Sequence, residues 1–243
     1  MANYLVTGGA GFIGAHIARG LLDHGHSVVI LDNLSTGKEE NLPSGCRFVN
    51  LDISSAEDLE MVPHEPFDAV LHLAAQSSGE ISHEDPAHDL HTNALGTLSL
   101  LEWCRGHGVS RFLYASSMAI YGLTDQVPVR EDQSLDPYSF YGISKQAAEH
   151  YVRHYSKQGM DTTILRMFNV YGPGQDLGNL KQGMVSIYLA YLAQGDPILV
   201  KGSLDRFRDF IYIDDVVDAW LKCLCNPNSY GRVYNLVSGQ KTL

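Results

Sequence analysis

A chain of 243 residues, 44% hydrophobic and 19% charged, is long enough to bury one sizeable core and ordinary enough in composition to be globular. Its 17 Lys and Arg against 28 Asp and Glu leave a net charge of −11, which argues against nucleic acid or an anionic membrane as partner. No apolar run approaches the ~20 residues of a spanning helix, and the N-terminus opens directly on a strand-like run with no room for a signal peptide.

Taken in order, "NYLVT" (3–7) predicts a strand and 12–24 a helix. "HSVVIL" (26–31), "CRFVNL" (46–51), "FDAVLHL" (67–73), "RFLYAS" (111–116) and "DTTILRMF" (161–168) predict further strands. Helical patterns fall near 56–61, 87–106 and 140–158. Strands apolar on both faces and separated by helices imply a parallel sheet covered on both sides, and right-handed crossovers make it doubly wound α/β. After about residue 170 the texture changes, with "YGPGQDLGNLKQG" rich in turn residues. A helix (183–194), short strands "PILV" (197–200) and "FIYI" (210–213), a helix (214–225) and a strand "RVYNLV" (232–237) follow. The division expected is 1–170 as a nucleotide-binding domain and 171–243 as a partial substrate lobe interleaved with the sheet edge. Cys46, Cys104, Cys223 and Cys225 lack C-x-x-C spacing, which reads as a reduced cytosolic chain without a metal or redox role for Cys223 and Cys225. "HEDPAHDLH" (83–91) reads as a solvated helix start capped by Asp85 with Pro86 inside it, and no metal site is expected.

"TGGAGFIG" (7–14) leaves the first strand and opens the first helix. Gly8 permits the tight turn, Gly11 lets the backbone approach a pyrophosphate, and Gly14 lets the helix pack on the sheet. The helix N-terminus supplies N–H groups and a positive dipole. Asp32 closes the second strand, placed to accept the ribose hydroxyls of NAD and to repel the 2′-phosphate of NADP. No Arg follows it directly, and Lys38 is six residues on. Asp52 ends the third strand, either reaching adenine or capping the next helix. "HLAA" (72–75) puts small residues where the dinucleotide would pass.

Tyr141 and Lys145 share one helix face, one turn apart, and Ser117 ends the fifth strand. A phenol at its ordinary pKa is a poor base at neutral pH. The nearby ammonium is expected to favour the phenolate, with Ser117 orienting the same substrate hydroxyl.

In order along the chain, "TGGAGFIG", "DNLSTG", "LDI", "HLAA", "NALGT", "ASSMAIYG", "YGISK", "LRMFNVYGPGQ" and "RDFIYIDDVVDA" resemble the extended short-chain dehydrogenase/reductases, the NAD-dependent sugar epimerase/dehydratase family. The likeness is greatest to the UDP-glucose (UDP-galactose) 4-epimerase group. It implies a Rossmann fold with a small, incomplete C-terminal lobe, since such proteins continue for several tens of residues past "YNLVSG". It implies Ser117, Tyr141 and Lys145 as the catalytic set. Within the same strings it implies a cofactor pocket of Gly8, Gly11, Phe12, Ile13, Gly14, Asp32, Asn33, Ser35, Thr36, Gly37, Asp52, Ile53, Leu73, Ala74, Ala75, Asn93, Ala115 and Phe168, with Tyr141 and Lys145. Asn169 and Arg208 would contact the substrate diphosphate, and Asn179, Leu180 and Val200 would border a uracil. The implied reaction is 4-epimerisation of a UDP-linked sugar through a transient 4-keto sugar, by a cytoplasmic homodimer.

Met118 and Ala119 stand where dehydratases of this family carry Asp–Glu and decarboxylases a Glu, so elimination lacks its acid and base. A nucleotide-sugar 4-ketoreductase using the same three residues stays open, and Asp32 speaks mildly against its NADPH. A catalytically silent nucleotide-binding protein is also open, although it would be expected to have lost one of the three. Ser77 departs from the close epimerases, which carry a Lys toward the cofactor there.

Overall fold

The computed structural model describes residues 1–124, 126–181, 183–198, 200, 203 and 207–242. Seven parallel strands form one sheet in the order β3-β2-β1-β4-β5-β6-β9. They are β1 (Asn3–Thr7), β2 (Ser27–Asp32), β3 (Arg47–Asn50), β4 (Ala69–His72), β5 (Arg111–Ser117), β6 (Asp161–Met167) and β9 (Arg232–Leu236). A separate parallel pair, β7 (Asn169–Tyr171) and β8 (Phe210–Tyr212), lies beyond β6 in sequence. The helices are α1 (Phe12–Asp23), α2 (Ala56–Leu59), α3 (Gly79–Glu84), α4 (Pro86–Leu90), α5 (Gly96–Gly106), α6 (Phe140–Lys157), α7 (Met184–Gln194) and α8 (Ile213–Leu224).

The strands are apolar on both faces because both faces are covered. On one face Leu5, Val29, Val70 and Phe112 pack with Leu100 and Leu101 of α5 and with Ala148 and Val152 of α6. On the other, Val6, Ile30, Leu71 and Leu113 pack with Ile17 and Leu21 of α1 and with Val216 and Trp220 of α8. Each such large side chain removed from water contributes roughly 1.5–3 kcal/mol. Strand β1 pairs with β2 on one side and β4 on the other. The chain thus winds outward in opposite directions from the β1/β4 boundary, which leaves a crevice at the carboxyl ends of those strands.

Residues after 170 do not stand apart from this sheet. Strand β9 pairs with β6, Leu165 opposite Tyr234, and α8 packs on α1. Arg111 fastens that return: its guanidinium donates to the carbonyls of Cys223 and Asp161 at 2.7 and 2.9 Å and stacks 4.4 Å from the Tyr230 ring centre.

Most predicted elements lie within two residues of those observed. The expected helix over 87–106 differs. It is broken into α4, a π-helical turn (His91–Leu95) and α5, with α3 ahead of it. The wider turn holds Asn93 inward, the kind of local widening found near functional sites. Three-residue β7 is too short to have left a pattern. In the expected strand 197–200, Leu199 lies outside the described residues, and Pro197, Ile198 and Val200 are not in a strand.

Candidate active site

The crevice holds a cavity of about 440 Å³ that runs from the glycine turn to the C-terminal end of β5. Gly8 adopts φ +71°, and a Cβ there would lie 2.6 Å from the Ala74 nitrogen, so a side chain would collide with the β4 turn. A Cβ on Gly14 would lie 2.2 Å from the Gly8 carbonyl oxygen, which is how closely α1 abuts the turn. Gly11 meets nothing but that carbonyl, at 3.3 Å, and its other side opens on the cavity.

Asp32 is 8% exposed. Its carboxylate accepts from the backbone N–H of Ala10 at 3.0 Å and of Leu34 at 2.9 Å. Burial pushes its pKa up, and the two hydrogen bonds work in the opposite direction. Asp52 accepts from the N–H and hydroxyl of Ser54 and from the Asn33 amide. Burial opposes its charge, but these hydrogen bonds outweigh it and hold the carboxyl below its ordinary range. The cap of α2 is Ser55 rather than Asp52.

At the other end Ser117 closes β5, and its hydroxyl accepts from the Ala119 N–H at 3.2 Å as the chain enters a short 3-10 turn. Ser139 caps α6, accepting from Gly142 N–H at 3.1 Å. That cap and the seating of Gly142 against the Ala119 carbonyl set the start of α6, and with it Tyr141 and Lys145. Tyr141 and Ser117 both border the cavity here. Burial raises the phenol's pKa, the Ser117 bond pulls it back, and the Asp89 charge adds to the rise. Lys145 is 3% exposed, with its ammonium 4.5 Å from the Tyr114 ring centre. Burial lowers its pKa to about 7, against the pull of Asp89 and Glu149. The expected drop in the Tyr141 pKa is therefore absent from the protein alone, because desolvation outweighs the Ser117 hydrogen bond.

The NAD dependent epimerase/dehydratase family matches residues 4–236. UDP-glucose 4-epimerase of Mycolicibacterium smegmatis is 36% identical over 245 residues, covering 98% of this chain and 78% of that protein. UDP-glucose 4-epimerase of Thermotoga maritima, crystallised with UDP-glucose, superposes with a TM-score of 0.94 at 38% identity, covering 99% of this chain and 78% of that one. The Thermus thermophilus UDP-glucose 4-epimerase in complex with NAD superposes with a TM-score of 0.89 at 38% identity, over 99% of this chain and 79% of the other.

This chain belongs to the NAD-dependent epimerase/dehydratase family.

The residues present fit the family's cofactor: a glycine cradle that side chains would fill, open space over Gly11, and the Asp32 carboxylate at the end of β2. The cavity is bordered by every cofactor residue expected from the sequence except Asn93. Asn93 is 1% exposed and lies behind the wall, its amide donating to the Gln76 carbonyl, Asp89 and Ser144. The π turn rotates it inward, toward α6 rather than the cavity. Of the expected substrate residues, Ser117, Asn169 and Asn179 border the cavity. Leu180 and Val200 do not; they are 47% and 41% exposed. Arg208 is also outside the lining, bridged through its backbone to Thr242, with its guanidinium donating to the Phe207 carbonyl. Asn169 donates to the Asp209 carbonyl at 2.8 Å and touches the Met118 sulfur at 3.6 Å.

Three features escape a reading of the sequence. The loop after β7 crosses the cavity mouth, where Gln175 and Asp176 line it and the pairs Lys38–Asp176 (3.2 Å) and Lys181–Glu84 (2.7 Å) fasten it on both sides. His72, read simply as part of "HLAA", is 1% exposed and bonded to Thr7 and Thr97 at 2.7 and 2.9 Å. Burial, with Lys145 nearby, drives its pKa to about 3, so it is neutral. Asp89 is buried too, although the surrounding string reads as a solvated helix start. The i, i+4, i+8 spacing of Asp89, Asn93 and Thr97 was the available signal: a polar stripe on one helix face.

Proposed function

We propose that this protein interconverts the C4 epimers of a UDP-linked hexose, glucose and galactose or their N-acetyl forms, by oxidation and reduction at C4. The single observation that carries this reading is the chemistry of the cavity's reacting end. Ser117, Tyr141 and Lys145 converge there, and the neighbouring position that also lines the cavity is Met118, which can move no proton. NAD, when bound, supplies the hydride acceptor and donor. Tyr141 takes the C4 hydroxyl proton and later returns it, Ser117 holds the same oxygen, and charged Lys145 favours the phenolate. A neutral side chain at 118 leaves elimination without its acid, and Ala119 offers none either. Asn169 and Asn179 border the same cavity, which supports contacts from them to a nucleotide diphosphate and its base. A 4-ketoreductase would use the same three residues; Asp32 favours NAD over the NADPH such an enzyme would consume.

The test is incubation with UDP-glucose, UDP-galactose and their N-acetyl forms, read by NMR at C4. Equilibration of epimers without stoichiometric cofactor use is expected. Stoichiometric consumption of NAD(P)H with a 4-keto sugar would instead establish reduction. Leu90, Leu95, Phe140 and Ile143 are 42–57% exposed on α4, the π turn and α6. These outward apolar side chains support pairing of the helices across a two-fold axis in a homodimer. A mass of 26.8 kDa by light scattering at micromolar protein would refute it. No helix among the described residues is long and apolar enough to cross a membrane. The four cysteines are unpaired, which supports a cytoplasmic location.

A further inference from the structure

Two opposite charges are buried at the cavity's reacting end, Lys145 in its wall and Asp89 behind it, without an ion-pair contact. Asp89 of α4 is 1% exposed and Lys145 of α6 is 3% exposed, and neither makes a salt bridge among the described residues. Burying a lone charge costs several kcal/mol unless something compensates it. Asp89 is compensated locally by neutral donors. Ser144 gives its hydroxyl at 2.5 Å, Gln76 its amide at 2.6 Å and Asn93 its amide at 3.1 Å. Three neutral donors satisfy oxygen lone pairs but leave the charge itself unbalanced.

The groups around Lys145 narrow down what balances it. On its own helix Glu149 also holds Lys145 up, but it is shared between the buried Arg166, bidentate at 2.9 and 2.8 Å, and Arg153 at 3.6 Å. Tyr141, also on α6, is a phenol. From β4 His72 is neutral, and from β5 Tyr114 offers a ring face. Asp89 is the remaining full charge, and it is of the opposite sign. Its link to α6 is through Ser144, which lies between Tyr141 and Lys145 in sequence and also bonds the Tyr141 carbonyl at 3.0 Å.

We propose that Asp89 is a positioning residue for the reaction: the buried counter-charge that keeps Lys145 an ammonium, and the hydrogen-bond anchor that joins the β4 turn, the π turn and the catalytic helix behind the cavity. The direction of the Lys145 shift agrees, since Asp89 is foremost among the charges that hold it up against burial. The same charge disfavours the Tyr141 phenolate. Removing it therefore lowers both midpoints.

Asp89→Asn keeps the shape and removes the charge; the new amide can donate to Ser144, whose hydroxyl then turns to the Tyr141 carbonyl. The inference rests on the role proposed for Lys145, so the deciding measurement does not use activity. In the NAD-loaded protein with ¹³C-labelled lysine, the Lys145 Cε resonance, assigned with Lys145→Arg, is titrated in wild type and in Asp89→Asn. The midpoint is expected to fall by roughly one pH unit or more, as for loss of a nearby opposite charge, and the pH profile of epimerisation to move down with it. An unmoved midpoint overturns the proposal even if the variant is slow, because a merely structural role lowers the height of the profile without shifting it. If Asp89→Asn does not fold, the wild type decides: the Asp89 carboxyl ¹³C must report the Lys145 titration as a second inflection. Its absence refutes the pairing.

Discussion

Gly14 shows how a single atom decides the site. Its missing Cβ is the space in which α1 meets the glycine turn, 2.2 Å from the Gly8 oxygen. Gly14→Ala is expected to lift the helix off the turn, lower stability by about 1–3 kcal/mol and weaken NAD binding, read by thermal unfolding with and without NAD. Asp32 gives a pH dependence. Its folded pKa is raised above the ordinary carboxylate value by burial, so it takes up a proton at a higher pH than a free Asp. The protonated form accepts fewer hydrogen bonds, so NAD affinity should fall as pH drops from neutral into the acid range, with Asp32→Asn abolishing that dependence in a binding titration. Tyr141→Phe should lose about 10²–10⁴-fold in rate while retaining NAD affinity; full activity in that variant would refute the assigned base. The positions of Gly8, Gly14, Asp32, Ser117 and Tyr141 on the cavity were legible in the sequence, because the first four fall in short motifs at strand ends and Tyr141 in a Tyr-x-x-x-Lys pair that opens a helix. Asp89 and His72 were not. Their meaning depends on burial, and a polar residue on a helix or strand carries no mark of which side will be covered.

Among the elements, α6 carries Tyr141 and Lys145 and is held from two directions. Its N-terminal turn is set by the Ser139 cap and by contact with Ala119. Its middle is tied to β6 by the Arg166–Glu149 pair, with side chains 1% and 2% exposed. Arg166 also donates to the Tyr121 hydroxyl at 2.6 Å, and Tyr121 donates to Asn235 at the sheet edge at 2.7 Å. Glu149→Gln strips the counter-charge from a buried guanidinium and should cost about 3–5 kcal/mol in denaturant unfolding. The double variant Glu149→Gln, Arg166→Met should recover part of that loss. The break between α4 and α5 was not legible, because 87–106 keeps an apolar period throughout and a π turn leaves no sequence mark of its own. Strand β7 was missed for the opposite reason, being three residues with too little pattern to distinguish from loop.

At the scale of the whole molecule, the apolar side chains left outward on α4, the π turn and α6 concern assembly. Leu90→Asp with Ile143→Asp should convert the proposed dimer to a 26.8 kDa species by light scattering, leaving the sheet and its crevice folded by circular dichroism. The sequence alone determined the parallel, doubly wound sheet, since strands apolar on both faces with helices between them admit few other arrangements. It also determined which strand ends carry the glycine turn, Asp32 and Ser117, because motif and strand boundary coincide there, and that Tyr141 and Lys145 share one helix face. The tertiary structure decided the rest. It wove α8 and β9 of the last 73 residues into the same sheet, because β6 would otherwise expose an edge. It turned Asn93 away from the cavity and left Leu180, Val200 and Arg208 outside its lining. It also brought Asp89 behind Lys145 from more than fifty residues away along the chain. Charges distant in sequence influence each other's ionisation only once folding has removed the water between them.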